Sequence, residues 1–197
     1  MRPMFIGIAG GSGAGKTTAS LMISDKYPDQ ITVIHLDDYS KKLNEVPMFC
    51  GIRNCDHPDA FDFKRLLDSL KTLQRGNPLS ISTQDKRIKK QRIPFSRIYP
   101  KKIIILDGFL ILWHPQIRKL LKYAIYLDAD LDTRIKRRTK FKNKLYIEKI
   151  LVPMHQQYVN PTKQYADYII NTAKLSKVHV FKRIEKLLKN KLKWHLF

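Results

Sequence analysis

Acidic residues are scarce in this chain of 197 residues, which has 17 Asp and Glu against 38 Lys and Arg and a formal net charge of +21. Such an excess attracts polyanions, including nucleotides, nucleic acid and anionic membranes. The charge is spread over three stretches, 86–102, 134–144 and 182–193, which favours a solvated basic surface. Since zinc-finger spacing and an aromatic-basic RNA-binding pattern are also missing, a dedicated nucleic-acid function is disfavoured.

Cysteine and long apolar runs are equally sparse. The two cysteines, Cys50 and Cys55, are too few for a disulfide framework. No apolar run approaches the roughly 20 residues that a membrane-spanning helix needs, so no membrane partner is expected. The short apolar run at the start breaks into glycines at once, unlike a signal peptide. The length of 197 residues and a hydrophobic fraction of 43% predict one folded domain over 1–197. Since neither a signal peptide nor a membrane span is predicted, we expect this domain to be cytoplasmic.

Short apolar runs alternate with segments of helical periodicity. Strands are predicted at 4–9, 31–35, 79–83, 103–106, 123–127 and 167–170. Helices are predicted at 16–27, 60–74 with Asp59 as its cap, 131–141, 146–158 and 178–193. This alternation indicates an α/β fold, with a central, mostly parallel sheet and helices on both faces. The polar and basic stretch 84–100 is expected to form a substrate-side loop or small insertion.

A glycine-rich segment follows the first predicted strand and reads GGSGAGKTT over 10–18. Gly10, Gly15, Lys16 and Thr17 match the phosphate-binding pattern G-x-x-x-x-G-K-[ST]. Glycines let the backbone curl so that its N–H groups point at phosphate oxygens, and the following helix start adds a favourable field. The predicted ligand is therefore ATP or GTP with Mg²⁺, with Lys16 at the β- and γ-phosphates and the Thr17 hydroxyl at the metal. The predicted nucleotide-binding residues are Gly10, Gly11, Ser12, Gly13, Ala14, Gly15, Lys16, Thr17 and Thr18.

Carboxylates follow two of the predicted strands. Asp107 ends the most apolar strand, and a carboxylate there can hold Mg²⁺ directly or through water. Asp37 and Asp38 follow the second strand, at the edge of the sheet where ligands bind. Either could accept a proton from an attacking hydroxyl, and Asp37 is favoured because it stands nearer the strand end.

A cluster of arginines follows the fifth strand of the pattern. Arg134, Arg137 and Arg138 have the spacing i, i+3, i+4, which predicts one cationic face on the helix over 131–141. Such a face can neutralise charge on a phosphoryl group during transfer, so Arg137 and Arg138 are predicted to be catalytic. The layout predicts a small kinase with a mobile lid over roughly 134–150.

The same residues resemble a known family. The chain is similar to the uridine kinases, within a wider group that includes phosphoribulokinase and nicotinamide riboside kinase. The similarity runs over most of the length and is carried by GGSGAGKTT, LDDY, CDHPDAFDF, IIILDGFLIL, DADLDTRIKRR and PMHQQYVNPTKQYADYII. It implies ATP-dependent phosphorylation of the 5′-hydroxyl of a ribonucleoside by a cytoplasmic salvage enzyme. It also implies that a homo-oligomer can form.

Several site residues are implied by the resemblance alone. Asp37 matches the family's base toward the 5′-hydroxyl, and Asp56 matches the aspartate that binds the ribose hydroxyls. The resemblance also places Tyr39, Lys89 and Arg138 on the substrate side. At position 107 the family usually has glutamate, so the acid here is one methylene shorter.

The residues that read the base depart from the family's pattern. Cys55 stands where an aromatic residue usually precedes the ribose-binding aspartate, and Gln84 and Lys89 replace a tyrosine and a histidine that read the pyrimidine edge. The lid after Arg138 is also shorter. The substrate therefore stays open between uridine or cytidine, nicotinamide riboside and another small hydroxyl compound. The alternative from another class is a nucleic-acid-associated ATPase, which the net charge of +21 suggests.

Overall fold

A five-stranded parallel sheet forms the centre of the computed structural model, which describes residues 2–82, 96–138 and 143–191. The order of its strands is β2-β7-β1-β8-β9. The strands are β1 (Met4–Ala9), β2 (Ile31–His35), β7 (Ile103–Asp107), β8 (Leu121–Asp128) and β9 (Tyr168–Asn171). Two antiparallel pairs lie outside this sheet: β3 (Met48–Phe49) with β4 (Ile52–Arg53), and β5 (Leu79–Ile81) with β6 (Ser96–Ile98).

Helices cover both faces of the sheet, which confirms the predicted α/β class. They are α1 (Lys16–Lys26), α2 (Phe63–Gln74), α3 (Pro115–Leu120), α4 (Leu131–Arg137) and α6 (Lys177–Lys191). A further helical segment, α5, begins at Lys144–Tyr146 and continues through Ile147–Leu151, Val152–Met154 and His155–Val159. Short 3₁₀ turns form at Leu36–Tyr39, Leu43–Glu45, Pro58–Ala60 and Asn160–Tyr165.

The apolar strand β7 shows why the sheet is buried on both sides. All five of its residues are buried, and successive side chains point to opposite faces. Ile104 and Leu106 pack in the cluster with α2, whereas Ile103 and Ile105 pack in the cluster with α1 and α6. A strand with no polar face is stable only between two covered layers. Among the described residues, no helix is long and apolar enough to cross a membrane.

The largest differences from the predicted elements concern α2, α4 and the stretch 84–100. Helix α2 begins after Asp62, whose Oδ1 accepts a hydrogen bond from the Arg65 N–H at 2.9 Å, so the predicted cap Asp59 is wrong. The reason is an antiparallel bridge between Ser40 and Phe61, which keeps the chain extended there and delays the helix. Helix α4 ends at Arg137, because Arg138 has left helical geometry. Part of the predicted insertion is also a strand, β6, while 84–95 lies outside the described residues.

Candidate nucleotide and acceptor site

The glycine-rich loop connects β1 to α1 at the carboxyl edge of the sheet. Gly10 has a φ of 134°, and a Cβ there would lie 2.2 Å from the carbonyl oxygen of Leu127. Gly13 has a φ of 88°, and its Cβ would lie 2.4 Å from the carbonyl oxygen of Arg134. Any larger residue would therefore clash with backbone as well as strain the dihedral angle. The glycines let the loop curl tightly against β8 and α4.

Lys16 lies inside the curl of this loop. Its side chain is buried, and its Nζ donates a hydrogen bond to the carbonyl oxygen of Gly11 at 3.2 Å. Burial lowers the pKa of Lys16, and the carboxylates of Asp107 and Asp37 only partly oppose this effect. A buried ammonium that gives one of its donors to a neutral carbonyl is suited to take up an anion.

Asp107 lies at the end of β7, beside the loop. Its Oδ1 is 3.0 Å from Nδ1 of His35. Burial opposes protonation of His35, but the hydrogen bond and the charge of Asp107 outweigh burial and raise the pKa of His35. The other carboxylate oxygen, Oδ2, is buried and has no hydrogen-bond partner within 2–82, 96–138 and 143–191.

The donor atoms around this edge fit Mg²⁺. Asp107 and Thr17 line the same cavity, and one oxygen of Asp107 is buried and unpaired among the described residues. Within that part of the chain no three His, Cys, Asp or Glu side chains form a cation cage. Mg²⁺ suits such a site, because it is usually held by one or two protein oxygens together with substrate phosphates and water.

A first cavity surrounds this loop, with a volume of about 570 Å³. One part is formed by the loop, the start of α1 and the two strand-end carboxylates. The other part is formed by side chains of α4, α6 and the loop before α6. Its lining comprises Ser12, Gly13, Ala14, Gly15, Lys16, Thr17, Thr18, Ala19, Asp37, Asp107, Gly108, Phe109, Arg137, Leu175, Lys177 and Val180.

A second cavity, of about 460 Å³, adjoins the first. It is formed by the turn after β2, the segment around β4, and residues on either side of the undescribed stretch 139–142. Its lining comprises Asp37, Ser40, Ile52, Arg53, Cys55, Asp56, Phe61, Phe109, Arg138 and Tyr146. Only Asp37 and Phe109 belong to both linings, among the residues that the structure describes. The two cavities therefore meet at these two side chains.

Asp37 and Asp38 are separated by their positions in the turn after β2. Asp37 is exposed to the cavities. Desolvation by the surrounding walls raises the pKa of its carboxyl, the charges of Asp107 and Asp56 raise it further, and the charge of Lys16 opposes the rise. Asp38 is buried and is absent from both linings. A surrounded carboxylate with a raised pKa, open to a cavity, has the environment of a general base.

Asp56 and Tyr146 form the floor of the second cavity. The Tyr146 hydroxyl donates a hydrogen bond to Asp56 Oδ2 at 2.6 Å. Burial raises the pKa of Asp56, and the contacts with Tyr146 and Arg138 oppose that rise. Cys55 lies beside them, and burial raises the pKa of its thiol. Asp56 and Tyr146 are thus paired with each other, whereas Ser40 and Arg53 of the same lining donate to backbone carbonyl oxygens.

The comparisons with known proteins fit this geometry. Residues 5–179 match the model of the phosphoribulokinase/uridine kinase family. The chain belongs to this family. It is 37% identical to a uridine kinase of Clostridium botulinum over 182 residues, covering 86% of this chain and 88% of that protein. It is 35% identical to a uridine kinase of Clostridium novyi over 200 residues, covering 95% and 96%.

A solved structure shares the fold of this family member. A possible uridine kinase from Bacillus stearothermophilus superposes with a TM-score of 0.61 at 19% identity, covering 87% of this chain and 90% of that chain. The resemblance drawn from the sequence and the predicted α/β fold are both confirmed.

The predicted arginine face does not form, because the side chains of Arg134, Arg137 and Arg138 point to different places. Arg134 is buried beneath the glycine-rich loop, where its NH1 donates to the Ser12 carbonyl at 3.4 Å. Arg137 donates from NH2 to the carbonyl oxygen of Thr172 at 2.6 Å and lines the first cavity. Arg138 lines the second cavity. Arg138 departs from the predicted face because the helix ends at Arg137, so the i+4 position is no longer helical.

Tyr39 is a second correction to the predicted site. It is 0% exposed, packs in the core cluster with α2 and lines neither cavity, so it does not reach a substrate. Its ring is covered by the guanidinium of Arg65 at 5.1 Å, and burial raises the pKa of its hydroxyl to about 12. Gln84 and Lys89 lie outside the described residues.

Sequence reasoning missed three side chains of this site. His35 contacts Asp107, and Tyr146 contacts Asp56. Phe109 lines both cavities at the place where they meet. The position of Phe109, two residues after a strand-end carboxylate, was a signal that could have been used. Nothing local marked Tyr146, because its partner lies 90 residues away.

Proposed function

We propose that this chain is an ATP-dependent nucleoside kinase that transfers the γ-phosphoryl group to the 5′-hydroxyl of a ribonucleoside. The observation that carries the proposal is the position of Asp37, whose side chain lines both cavities. A phosphotransferase needs a phosphate-binding site, an acceptor site and a base where the two meet. A hydrolase that activates water needs no second cavity of about 460 Å³ beside its base.

The first cavity is proposed to hold the nucleotide. Loop N–H groups and Lys16 would bind the phosphates, and Lys16 would neutralise charge that develops on the transferring group. Thr17 and Asp107 would hold Mg²⁺, which would neutralise negative charge on the phosphates. Leu175 and Val180 line this cavity near Arg137 and offer an apolar surface to a purine ring.

The second cavity is proposed to hold the acceptor. Asp56 would accept hydrogen bonds from the ribose hydroxyls, in agreement with the role of the matching aspartate in the family that the sequence resembles. The ribose 5′-hydroxyl would then face Asp37. Asp37 takes the hydroxyl proton while the new O–P bond forms and the bond to the ADP oxygen breaks. Arg138, at the same cavity, would lie on the acceptor side of the transferring group.

Two relatives are uridine kinases, which supports uridine as the acceptor, and the family resemblance adds cytidine. Cys55 lines the acceptor cavity as a small side chain. The loss of a stacking aromatic residue weakens base binding by about 1–3 kcal/mol. Because Cys55 provides no such stacking, this position does not select for a pyrimidine. Nicotinamide riboside is therefore the second candidate.

The test is ATP turnover with and without uridine, cytidine, nicotinamide riboside and other ribosides, using ATP and GTP in turn. The proposal expects turnover that depends on at least one riboside, with a 5′-monophosphate as the product identified by ³¹P NMR. Stimulation by RNA or DNA, with no stimulation by any riboside, would overturn the proposal in favour of a nucleic-acid-associated ATPase.

A further inference from the structure

Two strand ends bring His35 and Asp107 together at the edge of the nucleotide cavity. They are the last residues of the parallel neighbours β2 and β7 and are partners in register. His35 Nδ1 lies 3.0 Å from Asp107 Oδ1. The two side chains are only 8% and 4% exposed. Since both residues are fixed by the sheet and covered by protein, the contact is held in place by the fold.

The hydrogen bond divides the two oxygens of Asp107 between two tasks. A carboxylate oxygen accepts, so the proton of this contact lies on His35 Nδ1. Oδ1 is thereby paired, whereas Oδ2 is buried and without a hydrogen-bond partner in the described parts of the chain. Asp107 lines the nucleotide cavity together with Thr17. Oδ2 is therefore the oxygen that is left for a cation.

We propose that His35 is a positioning residue, which holds Oδ1 of Asp107 so that Oδ2 is presented to the Mg²⁺ of the bound nucleotide. The inference rests on the proposed function, because it takes Asp107 as a ligand of Mg²⁺. An aspartate carboxylate rotates about a single broad torsion, and a donor fixed at one oxygen sets the direction of the other. Without that donor, the carboxylate would sample orientations that do not face the cavity.

A purely structural role for His35 would depend on its volume, whereas the proposed role depends on a donor at one position. Three substitutions separate these two roles. His35→Asn keeps an N–H donor near the place of Nδ1. His35→Gln puts its donor near the place of Nε2, too far out for Asp107 Oδ1. His35→Leu has a similar volume and no donor.

The experiment measures the affinity of each variant for ADP by isothermal titration calorimetry, once in EDTA and once with saturating Mg²⁺. The ratio of the two affinities is the gain that Mg²⁺ provides. We expect this gain to fall about tenfold in His35→Leu and His35→Gln and to stay near the wild-type value in His35→Asn, because partners of a metal ligand typically change metal affinity by this order. Affinity in EDTA should be the same in all four proteins.

An unchanged gain in His35→Leu, with circular dichroism showing a folded protein, would overturn the inference. So would an equal loss in His35→Asn and His35→Gln, since packing would then explain both. If His35→Leu does not fold, the Asn and Gln pair decides. The calorimetry uses no acceptor, so its result does not depend on whether any riboside supports turnover. Failure of this inference and failure of the proposed function can therefore be told apart.

Discussion

The nucleotide cavity and the acceptor cavity are built in different ways. The phosphate end of the first comes from one continuous loop and two neighbouring strand ends, and other backbone segments pack closely against the loop at Gly10 and Gly13. The second is assembled from separate segments, which a hydrogen bond between distant side chains joins, from Tyr146 to Asp56. A phosphate site can thus be encoded in a few adjacent residues, whereas an acceptor site depends on distant ones.

The largest effect is expected from Lys16→Ala, which removes the buried ammonium beside the glycine-rich loop from the nucleotide cavity. Turnover should fall by about 1000-fold, since charge on the transferring phosphoryl group loses its buried partner. Affinity for ADP should fall as well, because in the proposed site the ammonium would contact the phosphates both before and during transfer. Steady-state kinetics and calorimetry measure the two effects. Lys64→Ala, at an exposed position on α2, is the control and should match the wild type.

Asp37→Asn tests the junction of the two cavities. The amide cannot accept the hydroxyl proton, so turnover should fall by at least about 100-fold. Affinity for ADP should stay near the wild-type value, which distinguishes this variant from Lys16→Ala. Asp68→Asn, an exposed carboxylate on α2, is the matched control. Near-normal turnover in Asp37→Asn would show that Asp37 is not the base, and that the meeting point of the two cavities is not the place of phosphoryl transfer.

A smaller effect is expected from Tyr146→Phe, which acts on the acceptor cavity alone. The substitution removes the 2.6 Å hydrogen bond to Asp56 and keeps the ring. Since hydrogen bonds to charged groups contribute about 1.5–3 kcal/mol, kcat/KM for the riboside should fall by about tenfold. Affinity for ADP should not change. If both substrates were affected equally, the two cavities would not be independent in the way proposed.

The smallest effect concerns stability and pH, through His155 beside the nucleotide loop. Burial lowers the pKa of His155 to about 4, with help from Arg134 and Lys16. As the pH falls from about 6.5 to about 4, the unfolded chain takes up a proton at this histidine before the folded chain does, so stability decreases over this range and changes no further below it.

His155→Phe, which cannot be protonated, should lose less stability than the wild type over that range. Nδ1 of His155 has no hydrogen-bond partner in the described structure, so replacing the imidazole breaks no hydrogen bond at that atom. Urea denaturation at neutral pH and at a pH midway between the two limits measures the difference. Equal losses in both proteins would show that His155 does not contribute to acid sensitivity.

The fold and the phosphate loop could be predicted because their signals are local. The apolar run at 103–106 and the glycine spacing at 10–17 each specify their structure within a few residues. Tyr39 could not be placed correctly, because a residue next to a strand end faces either the cavity or the core, and packing against α2 decides between them. The arginine face failed for a related reason, since the end of α4 redirects Arg138.

Residues of the acceptor cavity were predictable only through the family resemblance. Asp56 has no local pattern of its own, and its contact with Tyr146 spans 90 residues. The pair His35 and Asp107 is separated by 72 residues and meets through strand register, which sequence alone did not reveal.

The most direct measurement is a crystal structure of the protein with a non-hydrolysable ATP analogue and the riboside that supports turnover. We expect the triphosphate along the 10–18 loop, the riboside in the second cavity, and the Asp37 carboxylate within about 2.6–3.2 Å of the 5′-hydroxyl. A riboside bound elsewhere, or an Asp37 carboxylate turned away from that hydroxyl, would overturn the proposed kinase site.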